Sequence, residues 1–273
     1  MSTTATPATG ISASGTAAVA NRGRFSWVEL LTTDPAAARA FYQEVVGWGA
    51  TRMDGGPVEY TLFTSGDIPL AGLMALPPDA AAMGAPPSWL GYVEVPEVDA
   101  TVDQAVKLGA KVIAPVMEIP QAGRFAVLQD PQGAVFAIMT SAHPLAPETD
   151  PAPREFSWHE LTTSDQAGAI AFYEQLFGWE KKSELDMGEM GVYYMFGRDR
   201  FTYGGIMTKP PQAPGTHWLY YVRVADSADA AADRATRLGA KIMVPPMEVP
   251  GGDRVAVLSD PQGAVFGVHS KAG

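Results

Sequence analysis

Apolar and polar positions alternate from Phe25 to Leu31, as they do in a strand with one face buried. Asp34-Pro35 then supplies a helix N-cap and a first-turn proline, and Ala38, Phe41 and Val45 share one face of an Ala-rich helix that Gly47 ends. Short β-type runs follow at Tyr60-Thr61-Leu62-Phe63 and over 70–76. From Trp89 the series restarts, with a strand through Val95, a helix from Asp99 to Leu108 closed by Gly109, and two further runs at Ala126-Val127-Leu128 and over 134–139. Each half therefore reads β-α-β-β-β. Asp130-Pro131-Gln132-Gly133, between the last two runs, places Pro second and Gly fourth, as a type I turn prefers.

The whole pattern is then written a second time. Phe25-Ser26-Trp27-Val28-Glu29-Leu30, Asp34, Phe41-Tyr42 and Gly47-Trp48 return 131 residues later as Phe156-Ser157-Trp158-His159-Glu160-Leu161, Asp165, Phe172-Tyr173 and Gly178-Trp179. Leu108-Gly109-Ala110-Lys111 and the Asp130 turn return 130 residues later, at Leu238 and Asp260. So long a period means duplicated domains and not a solenoid, whose units run to about 20–50 residues. The expected organisation is a disordered tail over 1–22, one domain over 23–141, a Pro-rich linker over 142–153 and a second domain over 154–273.

Composition narrows the function. The formal net charge of −11, without any basic run, argues against a nucleic-acid partner, which would be gripped by clustered Lys and Arg. With no cysteine, disulfides, Cys-zinc sites and thiol nucleophiles are excluded. There is neither a signal-peptide pattern nor an apolar run of membrane-spanning length, so a cytoplasmic protein without membrane contact is expected. Gly204-Gly205 and Gly251-Gly252 lack the spacing of a phosphate-binding loop, and no Gly-x-Ser-x-Gly elbow supplies a serine nucleophile. A small molecule remains as the expected partner, bound by a monomer of two domains, with a weak dimer as the alternative.

The order strand, Asp-capped helix with Phe-Tyr and Gly-Trp, Leu-Gly-Ala, then Asp-Pro-x-Gly resembles the vicinal oxygen chelate superfamily of glyoxalases, bleomycin-resistance proteins and extradiol dioxygenases. The Trp-x-Glu-Leu opening and tandem layout are similar to an actinobacterial group that includes a mycobacterial antigen and proteins named hydroxylases. The resemblance covers about residues 24–140 and 155–270. It implies an α+β fold of two tandem glyoxalase-like domains, each of two βαβββ units forming a cupped mixed sheet. It also implies where a metal would be held, on the first, fifth and eighth strands. Those positions fall on Trp27 and Trp158, near Leu90 and Tyr220, and on Ala137 and Gly267. None offers the imidazole, thiolate or carboxylate a divalent cation wants, so no cofactor is expected.

Two departures from that expectation are kept open. His159, Glu160, His217 and His269 lie near the strands concerned and form an alternative, displaced site for a divalent metal, although alternation sets His159 and Glu160 on opposite faces. His143, in the linker, is read as solvated. Glu29 and Glu160 stand two residues after Trp27 and Trp158, on the same face of the strand. Each is either a buried acid with a raised pKa, fit for acid–base work, or a structural acceptor for a hydroxyl such as that of Tyr92 or Tyr221. Glu94 invites the same two readings, and its counterpart is Arg223. The function read from the chain is binding of a small hydrophobic molecule in a metal-free cup lined by Trp27, Glu29, Tyr92, Glu94, Trp158, Glu160 and Tyr220. The alternative is an enzyme of glyoxalase, dioxygenase or hydroxylase type, using a displaced metal or Glu29 and Glu160 as acid–base groups. Trp89, Trp218, Tyr193 and Tyr194 are either core or pocket wall.

Overall fold

The computed structural model describes residues 21–53, 58–210 and 215–272. The tail expected over 1–22 lies outside them except for Asn21 and Arg22, and the Arg22 guanidinium donates to the carbonyls of Gln175 and Leu176. In the first domain the elements are β1 (Phe25–Thr32), α1 (Pro35–Val46), β2 (Gly49–Met53), β3 (Tyr60–Ser65), β4 (Ile68–Ala75), α2 (Pro78–Ala82), β5 (Ser88–Glu94), α3 (Val98–Lys107), β6 (Lys111–Ile119), β7 (Gly123–Gln129) and β8 (Val135–Ser141). The second runs β9 (Phe156–Thr163), α4 (Gln166–Phe177), β10 (Glu180–Asp186), β11 (Val192–Arg198), β12 (Phe201–Thr208), β13 (His217–Arg223), α5 (Ala228–Arg237), β14 (Lys241–Glu248), β15 (Arg254–Ser259) and β16 (Val265–Ser270). A short 3₁₀ turn, Gly188–Met190, joins β10 to β11.

Each domain is one eight-stranded mixed sheet, ordered β2-β3-β4-β1-β5-β8-β7-β6 and β10-β11-β12-β9-β13-β16-β15-β14. Within a βαβββ unit the first and last strands pair in parallel, β1 with β4 and β5 with β8, while β1 and β5 meet antiparallel at the centre. The helices form as their end signals dictate. Asp34 caps α1 by accepting from Ala37 N at 3.0 Å, and Gly47 closes it at φ 80°, a left-handed conformation that glycine adopts without strain. Asp165 and Gly178 do the same for α4.

One face of both sheets carries the helices and a single continuous core. It runs from Val28, Leu30, Tyr42 and Trp89 of the first domain to Tyr173, Trp218, Tyr220 and Phe266 of the second. The repeated motifs meet there. Tyr42 of α1 donates to Asp260 Oδ2 at 3.0 Å, and Tyr173 of α4 donates to Asp130 Oδ2 at 2.9 Å, so each helix hydroxyl bonds the turn of the opposite domain. Trp48 Nε1 donates to Arg154 O and Trp179 Nε1 to Gly23 O, both at 2.7 Å. The linker region, residues 142–155, carries no helix or strand, and Arg223 holds it through Pro151 O at 2.8 Å. No helix among the described residues is long and apolar enough to cross a membrane.

Candidate functional site

The opposite face of each sheet is the cup. Register decides what looks into it. Trp27 pairs with Tyr92, Glu29 with Leu90, and Tyr92 with Ala137, so these side chains share one face, where Leu90, Tyr92 and Ala137 cluster with Trp27, Leu31, Phe125, Val127 and Met139. In the second cup Leu219, Tyr221 and Val257 cluster with Trp158, Val244, Val255 and Val265. Bulges at Ser26 and Ser157 turn the strand starts over, so Phe25 and Phe156 pack into the interdomain core although they stand two residues before the tryptophans.

A polar quartet sits at the centre of each cup. Trp27 Nε1 donates to Tyr60 Oη at 3.1 Å, the Tyr60 hydroxyl is bonded to Glu29, and Tyr92 Oη donates to Glu29 Oε2 at 2.9 Å. The second cup repeats it: Trp158 Nε1 donates to Tyr193 Oη at 2.7 Å, Tyr193 to Glu160 Oε2 at 2.8 Å and Tyr221 to Glu160 Oε1 at 3.4 Å. Glu29 is 6% exposed and Glu160 half-buried. Burial raises both carboxyl pKa values, against the opposing effect of the tyrosine hydrogen bonds. It also pushes the Tyr92, Tyr193 and Tyr221 hydroxyls well above their usual range, so all three keep their protons.

Tyr60 is not among the sequence candidates and Tyr193 stands there only as core or pocket wall; two glycines explain how both reach the carboxylates. Gly72 lies beside Glu29 in the β1–β4 register and Gly205 beside Glu160 in the β9–β12 register. A Cβ at Gly72 would stand 2.0 Å from the Tyr60 hydroxyl, and one at Gly205 would stand 2.1 Å from the Tyr193 ring. Each tyrosine therefore leans across a gap that only glycine leaves. The available signal was Tyr-x₁₁-Gly, present in both copies at Tyr60/Gly72 and Tyr193/Gly205.

Of the other candidates, Glu94 keeps to the cup side of β5, paired with Met139, and Tyr220 falls elsewhere. Tyr220, expected in the second cup, is 1% exposed in the interdomain core, and its hydroxyl accepts from Gly91 N at 2.8 Å. It pairs with His159, as Gly91 pairs with Val28, so the residue that faces the cup is Tyr221 and the fifth-strand positions are Leu90 and Leu219. Glu94 is buried, its two oxygens accepting from Ser141 N and Ser141 Oγ at 2.8 and 2.9 Å, and burial is the main cause of its raised pKa. Its counterpart Arg223 turns to the linker. Trp89, Trp218 and Tyr194 belong to the core, whereas Tyr193 belongs to the cup.

The structure does not bring the histidines together. His159 is buried on the interdomain side, its ring stacked on Phe25 at 3.8 Å and Nδ1 bonded to Tyr203 O at 2.8 Å. His217 bonds Gly215 O through Nδ1. His269 has both nitrogens occupied, Nδ1 with Ser157 Oγ at 2.8 Å and Nε2 with Asp253 Oδ2 at 2.9 Å. Among the described residues no three His, Cys, Asp or Glu side chains are grouped to hold a metal ion. The donor set fails too: indole, isobutyl and methyl side chains at Trp27, Leu90 and Ala137 offer no ligand lone pair, and neither do Trp158, Leu219 and Gly267. The three ligand positions of a metal-binding member of this fold therefore do not fit a divalent ion. Two hollows on the helical face, of about 210 and 70 Å³, are lined by Arg22, Glu97 and Gln104 and by Glu44, Arg234 and Arg237, and neither touches a quartet.

Comparison with known proteins agrees with this architecture. The family model of the Glyoxalase/Bleomycin resistance protein/Dioxygenase superfamily matches twice, over residues 24–138 and 155–268. CFP32 of Mycobacterium bovis, which bears the name of a candidate glyoxylase, is 35% identical over 254 residues, covering 92% of this chain and 96% of its own. The anthracycline biosynthesis protein DauV of Streptomyces sp. is 31% identical over 262 residues, covering 90% of this chain and 92% of its own. Among solved structures, an extradiol ring-cleaving dioxygenase from B. fuscum superposes with a TM-score of 0.65 at 16% identity, over 93% of this chain and 73% of that one. The Mn(II)-bound glyoxalase from Novosphingobium aromaticivorans gives a TM-score of 0.60 at 17% identity, over 93% and 83%.

Proposed function

The chain belongs to the glyoxalase/bleomycin resistance protein/dioxygenase superfamily, and on that premise we propose that each of its cups binds a small apolar molecule without the aid of a metal ion. The observation that carries this reading is the quartet. Tryptophan, glutamate and two tyrosines recur with the same bonding in both copies, at the place where metal-binding members would hold their ion. Around it the walls are apolar and half-exposed at Leu31, Phe125, Val127 and Met139, the composition of a small-molecule site with a few oriented polar groups. The two relatives carry names from small-molecule metabolism, in keeping with such a site. The chain acts as a monomer whose two domains are joined through one core, with a weak dimer as the alternative.

One observation favours a second reading. Burial raises the Glu29 and Glu160 carboxyls toward the range where an acid can also serve as a base, so acid–base catalysis on the bound molecule is the competing function. A melting series separates the two. Zn²⁺, Mn²⁺, Ni²⁺ or Fe²⁺ should leave thermal stability unchanged. An aromatic or terpenoid-like compound at 100 times its Kd should stabilise the fold by about 2.7 kcal/mol. A saturable shift with one cation, lost in His269→Ala or Glu160→Gln, overturns the metal-free reading. Turnover of a bound compound, lost in Glu160→Gln while binding persists, moves the protein to the second.

A further inference from the structure

We propose that the ligand of each cup is an organic cation, a protonated amine carried on an apolar scaffold. The inference rests on the cups being binding sites and concerns what they select.

Hydrogen positions in the quartet run one way. An indole N–H only donates, so the bond from Trp27 Nε1 makes the Tyr60 oxygen an acceptor and turns its own proton toward Glu29. Tyr92 donates to the same carboxylate. In the second cup Trp158, Tyr193 and Tyr221 repeat this direction toward Glu160. Every donor of the quartet is thus spent within it, the indole on a tyrosine oxygen and both tyrosines on the carboxylate, and only acceptor capacity is left for a ligand. A ligand carboxylate or ketone would meet no free proton.

Among the described residues, neither carboxylate is paired with a cation. The groups acting on Glu29 are the surrounding apolar burial, Tyr60 and Tyr92, and those acting on Glu160 are burial, Tyr193 and Tyr221; no lysine, arginine or histidine is among them. A carboxylate removed from water without an opposite charge is costly, and a cationic ligand would supply what the protein omits. The surroundings suit an organic ammonium better than an inorganic ion. In the first cup Tyr92 and Phe125 stand 5.8 Å apart by ring centroid, beside Trp27 and Tyr60, and aromatic faces attract ammonium groups. A divalent metal would find one carboxylate and neutral phenols. The chain's net charge of −11 adds a field that draws cations in. The cups are not equal. Val255 stands where the first cup has Phe125, so the second cup offers its ligand less aromatic contact.

Three compounds on one scaffold test this by titration calorimetry with the full chain: 2-(2-naphthyl)ethylamine, 2-(2-naphthyl)ethanol and 2-naphthylacetic acid. The amine should bind at two sites per chain, at least about tenfold tighter than the alcohol, which is the worth of a single desolvated cation–aromatic or charge contact. The acid should not bind. Glu29→Gln and Glu160→Gln, which keep side-chain size, should each cut the amine's advantage over the alcohol at one site to about twofold or less. Equal binding of amine and alcohol, or amine affinity untouched by both variants, overturns the charge inference while the cups stand as binding sites. Binding of none of the three, with the tryptophan fluorescence unchanged, overturns both. Should a variant not fold, the amine-to-alcohol ratio in the wild-type chain decides alone.

Discussion

His159 occupies the strand position next to Glu160 yet takes no part in the cup, because alternation turns it into the interdomain core against Phe25. Burial lowers its pKa from 6.5 to about 4, only partly offset by the bond to Tyr203 O. The sign follows from linkage. Between those values the unfolded chain binds the proton and the native chain does not, so the contribution of neutral His159 is complete above pH 6.5 and is lost as pH falls toward 4. The loss is on the order of 3 kcal/mol. Urea unfolding of wild type and His159→Gln at pH 7.5 and 4.5 should show a smaller acid loss in the variant, and parallel losses would sink this account. Glu29 has the opposite sign. With its pKa raised by burial, its stabilising contribution is present below 4.5 and lost as pH rises through the native value, so the charged side chain weakens the fold at neutral pH. Glu29→Gln should therefore melt higher than wild type at pH 8, by a margin that shrinks toward pH 4.5. A variant that melts lower at pH 8 would contradict it. A stability cost held at one side chain in both copies is what a binding or reacting group exhibits and a purely structural one need not.

At the level of strands, glycines set the quartet's geometry as much as the polar residues do. Gly205→Ala should drive the Tyr193 ring off Glu160, costing about 1–3 kcal/mol as an overpacked site and changing the emission of Trp158, whose indole bonds that tyrosine. Unchanged emission and stability would show that Tyr193 is not held there. Asp34-Pro35, Gly47 and the Asp130 turn gave α1 and the β7–β8 connection because their chemistry is local. Trp27 and Glu29 could be placed together because a strand alternates strictly between Trp27 and Leu31. Tyr60 was not legible as their partner. It lies two strands away in the sheet, and its counterpart is shifted to 133 residues because β10 is two residues longer than β2. Tyr220 was misplaced for a related reason: three residues separate Val224 from Ala228 where two separate Val95 from Val98, and counting back from Leu238 carried that extra residue into β13. A one-residue slip moves a side chain to the other face. β2 and α2 escaped notice because a half-exposed edge strand and a five-residue helix leave little periodicity to read.

Across the whole chain, the repeated motifs that mark the duplication are also the ones that join its two halves. Phe-Tyr and Asp-Pro-Gln-Gly recur because Tyr42 bonds Asp260 and Tyr173 bonds Asp130, a reciprocal exchange between the domains. Each tyrosine oxygen also accepts from a buried indole, Trp89 Nε1 at 3.0 Å for Tyr42 and Trp218 Nε1 at 3.1 Å for Tyr173. Asp130 and Asp260 spend Oδ1 on three backbone N–H groups of their own turns, so the opposite domain's hydroxyl is what satisfies Oδ2. Tyr42→Phe therefore strands an indole N–H and a carboxylate oxygen in the core, and at about 1–3 kcal/mol for each unsatisfied buried group it should be among the more damaging single substitutions. Tyr173→Phe should cost a similar amount, because the geometry is the same. Since the core is continuous across the two domains, both variants should lower the stability of the whole chain and not of one half. Calorimetry should then give one transition in the wild type and in each variant, with calorimetric and van't Hoff enthalpies in agreement. Two resolved transitions in wild type, or a variant in which only one half melts early, would mean that the halves fold independently and that the Tyr–Asp exchange merely docks them. A single transition has a functional corollary. If the two cups are floors of one cooperative unit, ligand bound at Glu160 protects the first cup against local opening as well, and hydrogen exchange at β1 and β5 should slow when only the second cup is filled, as in a Glu29→Gln chain saturated with ligand.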